Sequence, residues 1–340
     1  MSGPVNAPAS APGGSPAGLP AAGGVAVVAG LDIGGTKTQI WIETVDGVRL
    51  ADAVDVSDDW AAEPAAGAAR WIAAAVERHR PPGATVVAIG VGAQGCDTEE
   101  HCAELQHALA RVTGVPATVT NDAALLVPAA GLAAGIGVIA GTGSIAVAVR
   151  PDGSLGFAGG WGWVLGDEGS APALVREAVR AALTRHDARG PADALLPALL
   201  EAFAVDSPTA LARTVNDNTD ATHWATRAPA VFAAADAGSA DARAVITAGA
   251  TSLAALVGVL LRTTPPASAG LDRPDTPRNA ALTHVVAAGG VMTSQPALFD
   301  AFRDAVAREH AGLTVYLLDR PPVAGALALA RRHLHGTPPS

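Results

Sequence analysis

The 340-residue chain is poor in several things that commonly declare a function. Two cysteines, Cys96 and Cys102, are too few for a disulfide framework and fit a reducing compartment. Aromatic residues make up 4% of the chain, so a core has to be built from Ala, Val and Leu. Basic residues are outnumbered, 22 against 32 acidic ones, and the net charge of −10 argues against a nucleic-acid partner. Residues 1–24, dominated by Ala, Gly, Pro and Ser, carry no charge at all, and the first charged side chain is Asp32. A secretory signal needs a basic n-region, which is missing, and no run approaches the length of a membrane-spanning helix. These absences lead to the expectation of a cytoplasmic protein with a disordered tail at 1–24 and no membrane partner. What remains is 49% hydrophobic and 16% charged, material for a globular chain of two domains.

The richest stretch is Leu31–Ile42, LDIGGTKTQIWI. An apolar run, Val25–Ile33, leads into it and an alternating run, Gln39–Ile42, leads out, which predicts a hairpin turning on Gly34 and Gly35. Glycine lets the backbone approach a bulky anion, Thr36 and Thr38 offer hydroxyls, and successive N–H groups form an anion nest. Lys37, the only lysine, adds a positive charge. Asp32 would repel a phosphate there unless a bound Mg²⁺ intervened, directly or through water. A second glycine hairpin is predicted over Gly137–Val149, turning on Gly141-Thr142-Gly143-Ser144. Two opposed hairpins can hold a polyphosphate between two lobes.

Other candidates fall at the ends of predicted strands. The alternation of Val48, Leu50, Val54 and Val56 extends the first sheet. The loop Ser57-Asp58-Asp59-Trp60 follows, where Ser or Asp caps a helix over Ala61–Arg80 or the acids face a ligand. Thr85–Val91 reads as a strand buried on both faces and delivers Gln94 and Asp97 at its carboxyl end, where open α/β sheets bind ligands. Substrate contact and helix capping by Asp97 stand about equal there. Pro116–Thr120 delivers Asn121-Asp122-Ala123-Ala124. Asp122 either caps the next helix or accepts a proton from a hydroxyl. The loop Gly159–Ser170 combines glycines with Trp161, Trp163, Asp167 and Glu168, a composition suited to stacking on a pyranose and bonding its hydroxyls. Residues 171–261 read as helical without a usable motif, and 263–280 as a proline-rich exposed loop. His284–Ala288 runs into Gly289-Gly290, against which a flat heterocycle can lie, and Pro321–His333 reads as a final small-residue helix.

Taken in order, these motifs resemble the sugar kinase, heat-shock chaperone and actin superfamily of ATPases. Within it they are most similar to the N-acetylglucosamine kinase-like branch, the BadF/BadG/BcrA/BcrD ATPase family. The resemblance implies an α/β fold of two ribonuclease-H-like, actin-like ATPase lobes with a cleft between them. Residues 25–128 with helix 321–335 would form one lobe and 129–320 the other. It makes Asp32–Thr38 the first phosphate motif, Gly141–Ser144 the second and Gly289-Gly290 the adenosine motif, all serving ATP, with Mg²⁺ at Asp32. It makes Asp122 the catalytic base for phosphorylation of the 6-hydroxyl of an amino sugar. The sugar would be held by Asp58, Asp59, Gln94, Asn121, Gly160, Trp161, Asp167 and Glu168. In the kinases of that branch the loop matching Ser57–Trp60 carries an asparagine suited to a neutral acetamide. Asp58 and Asp59 stand here instead and pair better with an ammonium, so glucosamine is expected ahead of N-acetylglucosamine. The zinc loop of one sister group and the iron–sulfur cysteine of another have no counterpart in this sequence. A sensor that binds ATP or sugar without chemistry is the alternative from another class, and a homodimer is left open.

Overall fold

The computed structural model describes residues 24–263 and 282–335. The tail at 1–24 and the loop at 263–280 therefore lie, except for Gly24 and Thr263, outside the described residues. Two five-stranded sheets form the frame. The first contains β1 (Val25–Ile33), β2 (Lys37–Thr44), β3 (Arg49–Val56), β4 (Ala84–Ala93) and β5 (Ala117–Thr120), in the order β3-β2-β1-β4-β5. The second contains β6 (Gly135–Ala140), β7 (Ser144–Val149), β8 (Leu155–Gly159), β9 (His284–Ala288) and β10 (Thr314–Leu317), in the order β10-β9-β6-β7-β8. In each sheet the first strand runs antiparallel to the second and parallel to the fourth. The same winding therefore occurs twice, in two lobes.

Helices α1 (Ala65–His79) and α2 (Glu99–Thr113) cover one face of the first sheet, where Ile72, Leu105 and Leu109 pack on Leu31, Ile40 and Ile89. After β5, a 3₁₀ turn at Asp122–Leu125 leads into the short α3 (Leu126–Ala129). The second sheet is covered by α4 (Ala171–Asp187), α5 (Leu195–Ala202), α6 (Pro208–Asp217), α7 (Ala221–Ala225), α8 (Ala228–Asp236), α9 (Ala240–Arg262), α10 (Gly290–Ser294) and α11 (Pro296–Glu309). Helix α12 (Val323–Arg332) then returns to the first sheet, burying Val323, Leu327 and Ala330 against Val28, Trp41 and Ala88. Close backbone approach makes this packing possible. A Cβ at Gly90 would lie 1.9 Å from the Ala326 carbonyl oxygen, and one at Gly325 would lie 2.2 Å from that of Leu125.

Two sequence expectations change, and a third, that residues 48–56 extend the first sheet, holds. Helix α1 starts at Ala65 behind Pro64 with no side-chain cap, so neither Ser57 nor the following aspartates cap it. Val48, Leu50, Val54 and Val56 keep their alternation but face outward, because Ala51, Ala53 and Asp55 occupy the inner side of edge strand β3. Helix α9 is, by length and composition, apolar enough to cross a membrane, against the expectation that no run comes close. Half of its most apolar window is buried inside the fold, where it packs on α4, α8 and α11. That is how the central helix of a core earns such a composition.

Candidate functional site

Asp122 is placed by the residue before it. Asn121 is fully buried and caps the 3₁₀ turn, its Oδ1 accepting from the Ala123 amide at 2.9 Å. Its Nδ2 donates to Asp97 Oδ1 at 2.9 Å and to the Cys96 carbonyl at 3.3 Å. Capping therefore falls to Asn121, and Asp122 stands free at the mouth of the turn with one amide contact, from Ala123 at 3.0 Å. The cap of α2 is likewise taken by Thr98, which accepts from the His101 amide at 3.1 Å. This leaves Asp97 to face Asn121 and the cleft.

A cleft of about 510 Å³ runs between the lobes. The first lobe lines it with Gly35, Thr36, Gln94, Asp97, Asn121 and Asp122. The second lobe faces them with Thr142, Gly143, Ser144, Gly160, Trp163 and Asp167, and α7 adds Thr222. Residues far apart in sequence thus meet at the turns of both hairpins. The second turn is tied down. Gly141 N–H donates to the Gly143 carbonyl at 2.9 Å, Ala171 N–H to the Gly141 carbonyl at 2.8 Å, and Ser144 Oγ to the Glu168 carbonyl at 3.0 Å. Gly289 sits at φ +102° against the end of β6, where a Cβ would lie 2.4 Å from the Ala140 carbonyl oxygen, so only glycine fits. Gly290 N lies 3.5 Å from the place a Cβ would take on Gly141, which sets Gly289 and Gly290 beside the second turn.

Three acids line the cleft, Asp97 and Asp122 from the first lobe and Asp167 from the second, while Asp32 is not among the lining residues. Burial, then the neighbouring Asp122, pushes the Asp32 carboxyl up to about 7, and Lys37 offsets part of this. Burial also raises Asp122 to about 6, against the stabilising Ala123 amide and with help from Asp97. Asp97 and Asp167 are raised as well, chiefly by burial. Asp167 adopts φ +55°, and its Oδ1 is buried without a partner, as suits a group waiting for a donor. Among the described residues no three His, Cys, Asp or Glu side chains converge as a metal cage. One crowded carboxylate without a cage fits a magnesium ion that keeps its waters and takes its other ligands from phosphates.

Several expected site residues are placed otherwise. Asp58 and Asp59 are exposed and do not line the cleft, because their loop turns outward around a buried Ser57. Thr38 is buried and its hydroxyl is paired with Ser57 Oγ at 2.8 Å, so it braces the first hairpin from inside. Glu168 is exposed and meets the site only through its backbone. Trp161 is 76% exposed, whereas Trp163 lines the cleft, held by Trp224 at a ring distance of 5.1 Å and by Arg176 on its carbonyl. Sequence reasoning left Asp97 undecided, named both tryptophans of the loop but assigned the sugar to Trp161, and missed Thr222. An acid beside a better capping residue was the available sign for Asp97, and nothing local marked Thr222.

A sequence model of the BadF/BadG/BcrA/BcrD ATPase family matches residues 29–328. The chain belongs to this family. An N-acetylmuramic acid/N-acetylglucosamine kinase of Clostridium acetobutylicum is 28% identical over 169 residues, 48% of this chain and 55% of the relative. An N-acetyl-D-glucosamine kinase of Dictyostelium discoideum is 29% identical over 190 residues, 52% of this chain and 60% of the relative. The matched part thus spans between half and two thirds of these curated relatives. Among solved structures, a candidate N-acetylglucosamine kinase from Chromobacterium violaceum superposes with a TM-score of 0.64 at 26% identity, covering 90% of this chain and 99% of the other. A ROK family glucokinase from Streptomyces griseus, solved with glucose and AMPPNP, shares the fold at a TM-score of 0.56 and 19% identity, covering 91% and 100%. The BadF/BadG/BcrA/BcrD assignment and these neighbours agree with the two actin-like lobes described above.

Proposed function

We propose that this chain transfers the terminal phosphoryl group of ATP to the 6-hydroxyl of an amino sugar, with N-acetylglucosamine as the favoured acceptor. The carrying observation is Asp122, a partly buried carboxyl raised to about 6 and facing the glycine turn of the opposite lobe across the cleft. Ionised above that pH, it accepts the proton of the sugar hydroxyl as the oxygen attacks phosphorus. The new bond joins the sugar oxygen to the terminal phosphorus, and the bond to the bridging oxygen of ADP breaks. Thr36 and Gly35 on one side and Thr142 and Gly143 on the other offer backbone and hydroxyl donors to the phosphates. Mg²⁺ bound with the nucleotide supplies charge neutralisation, and Asp32 is the residue that would hold it, directly or through water. Trp163 offers a ring face to the sugar and Asp167 an unpaired acceptor for its hydroxyls.

The choice between amino sugars turns on charge. A glucosamine preference rested on Asp58 and Asp59 closing over the sugar, and both are exposed away from the cleft. Exposed acids contribute little to pairing with an ammonium. The names of the relatives favour the acetylated sugar. The test is coupled ADP release over N-acetylglucosamine, glucosamine, glucose and N-acetylmannosamine. N-acetylglucosamine is expected to give the highest kcat/KM. Glucosamine in first place would reverse the specificity alone. No sugar-dependent ADP release would overturn the kinase reading and leave a sensor.

A further inference from the structure

A second cavity lies between the lobes, of about 450 Å³, and shares no residue with the cleft. From the first lobe it is lined by Gln106, by Thr118 and Thr120 on β5, and by Arg332 and His333 at the end of α12. From the second lobe it receives the β7–β8 turn, with Arg150 and Asp152.

Arg150 is 7% exposed. Its Nη2 donates to the Thr263 carbonyl at 3.2 Å, and among the described residues its Nη1 has no partner and it makes no ion pair. Asp152 is near enough to feel the guanidinium but is engaged elsewhere, accepting from Ser154 N at 2.9 Å and Ser154 Oγ at 2.7 Å. Thr120, also 7% exposed, has a buried hydroxyl without a partner among the described residues. A buried guanidinium arm with no acceptor and an idle buried hydroxyl, as they stand among the described residues, are both costly to keep. They line one cavity, along with Arg332, in a chain whose net charge is −10. The fold also reserves room for the guanidinium, since a Cβ at Gly156 would lie 2.8 Å from Nη2.

We propose that this cavity is a binding site for a small phosphomonoester, with Arg150 and Arg332 pairing its phosphate oxygens and Thr120 bonding to it. A guanidinium fork matches phosphate geometry, and two arginines with a hydroxyl provide donors for more than one phosphate oxygen. The volume accommodates a ligand of sugar-phosphate size. Because its walls come from both lobes, an occupant ties one lobe to the other. Thr120 is two residues from Asp122, so the tie reaches the base through the end of β5.

Calorimetric titration of the full chain with glucose 6-phosphate and with inorganic phosphate tests this without any turnover, independently of the kinase reading. Saturable binding of glucose 6-phosphate is expected, weakened roughly ten- to a hundredfold by Arg150→Gln. Binding should be unchanged by Gly143→Val, which alters only the cleft. Inorganic phosphate showing the same sensitivity to Arg150→Gln identifies the phosphate as the recognised group and supports the site. Absence of binding by either probe overturns it, as does binding lost in Gly143→Val but kept in Arg150→Gln. Should Arg150→Gln fail to fold, the exposed Arg332→Gln decides: several-fold weaker binding supports the site, and unchanged affinity overturns it.

Discussion

The turns after β1 and after β6 occupy the same place in two sheets of the same winding, yet they are equipped differently. In the first, Gly34 N–H closes the turn on the Lys37 carbonyl at 3.1 Å, and Gly35, Thr36 and Lys37 stand open to solvent. In the second, the turn is lashed to the start of α4 and to the loop before it through Ala171 and Glu168. Two residues ahead of the first turn stands Asp32, and two ahead of the second stands Ile139. One backbone device thus serves with its tip open to solvent and carrying Lys37, tied to Ser57 from behind, and again with its tip braced by the loop that carries Asp167. Of the acids that line the cleft, Asp97 and Asp122 belong to the first wall and Asp167 to the second.

That contrast breaks most sharply at Asp122. Asp122→Asn is expected to lower turnover by roughly 10²–10⁴-fold with fold and ATP affinity retained, as read by steady-state kinetics and calorimetry. Turnover within a few-fold of wild type would return Asp122 to a structural role. On the braced wall the expected loss is in binding. Gly143→Val, whose Cβ starts 3.0 Å from Asp167 Oδ2, should abolish measurable nucleotide binding and leave sugar binding largely intact. Unchanged ATP affinity there would sever the second turn from the phosphates.

The third test sharpens the charge contrast. A proton held by Asp32 up to about pH 7 in the folded state is released near its ordinary value of 3.8 in the unfolded chain. Between those values the folded state binds more protons, so stability falls as pH rises. Asp32→Asn should therefore raise the Tm of the nucleotide-free protein by a few degrees at about pH 8, with the gain gone near pH 4, while activity collapses. A Tm gain of equal size at both pH values would remove ionisation as its cause. With Asp122 raised to about 6, kcat should fall as pH drops below that value, and Asp122→Asn should lose this limb. The smallest effect is at Thr38→Val, which strands the Ser57 hydroxyl and should cost on the order of 1 kcal/mol by chemical denaturation, with ATP affinity unchanged.

Much of this architecture is legible in sequence because it is local. Two glycine turns between apolar strands, and Asp122 at the end of a short strand, need only neighbours a few residues away. The failures share a cause. Whether Trp161 or Trp163 faces the cleft depends on Trp224, which lies far along the chain. Asp58 and Asp59 are in the right loop, but Ser57 is drawn inward by Thr38 and the acids turn out. Thr222 comes from α7, five residues reading ATHWA, too short for any spacing to show which side meets the cleft. Direction within a loop is decided by distant partners, and periodicity carries no record of them.

Helix α12 has a consequence for how the molecule is made. Val28, Trp41 and Ala88 belong to strands translated early, but the residues that cover them, Val323, Leu327 and Ala330, emerge long after the entire second lobe. On the ribosome, the older half waits with a bare apolar face while the younger half can already close. Vectorial synthesis therefore reverses the order of completion, and the long interval is when this chain most needs a chaperone. A premature stop ahead of Val323 would leave a second lobe able to pack and a first lobe with nothing to cover that face.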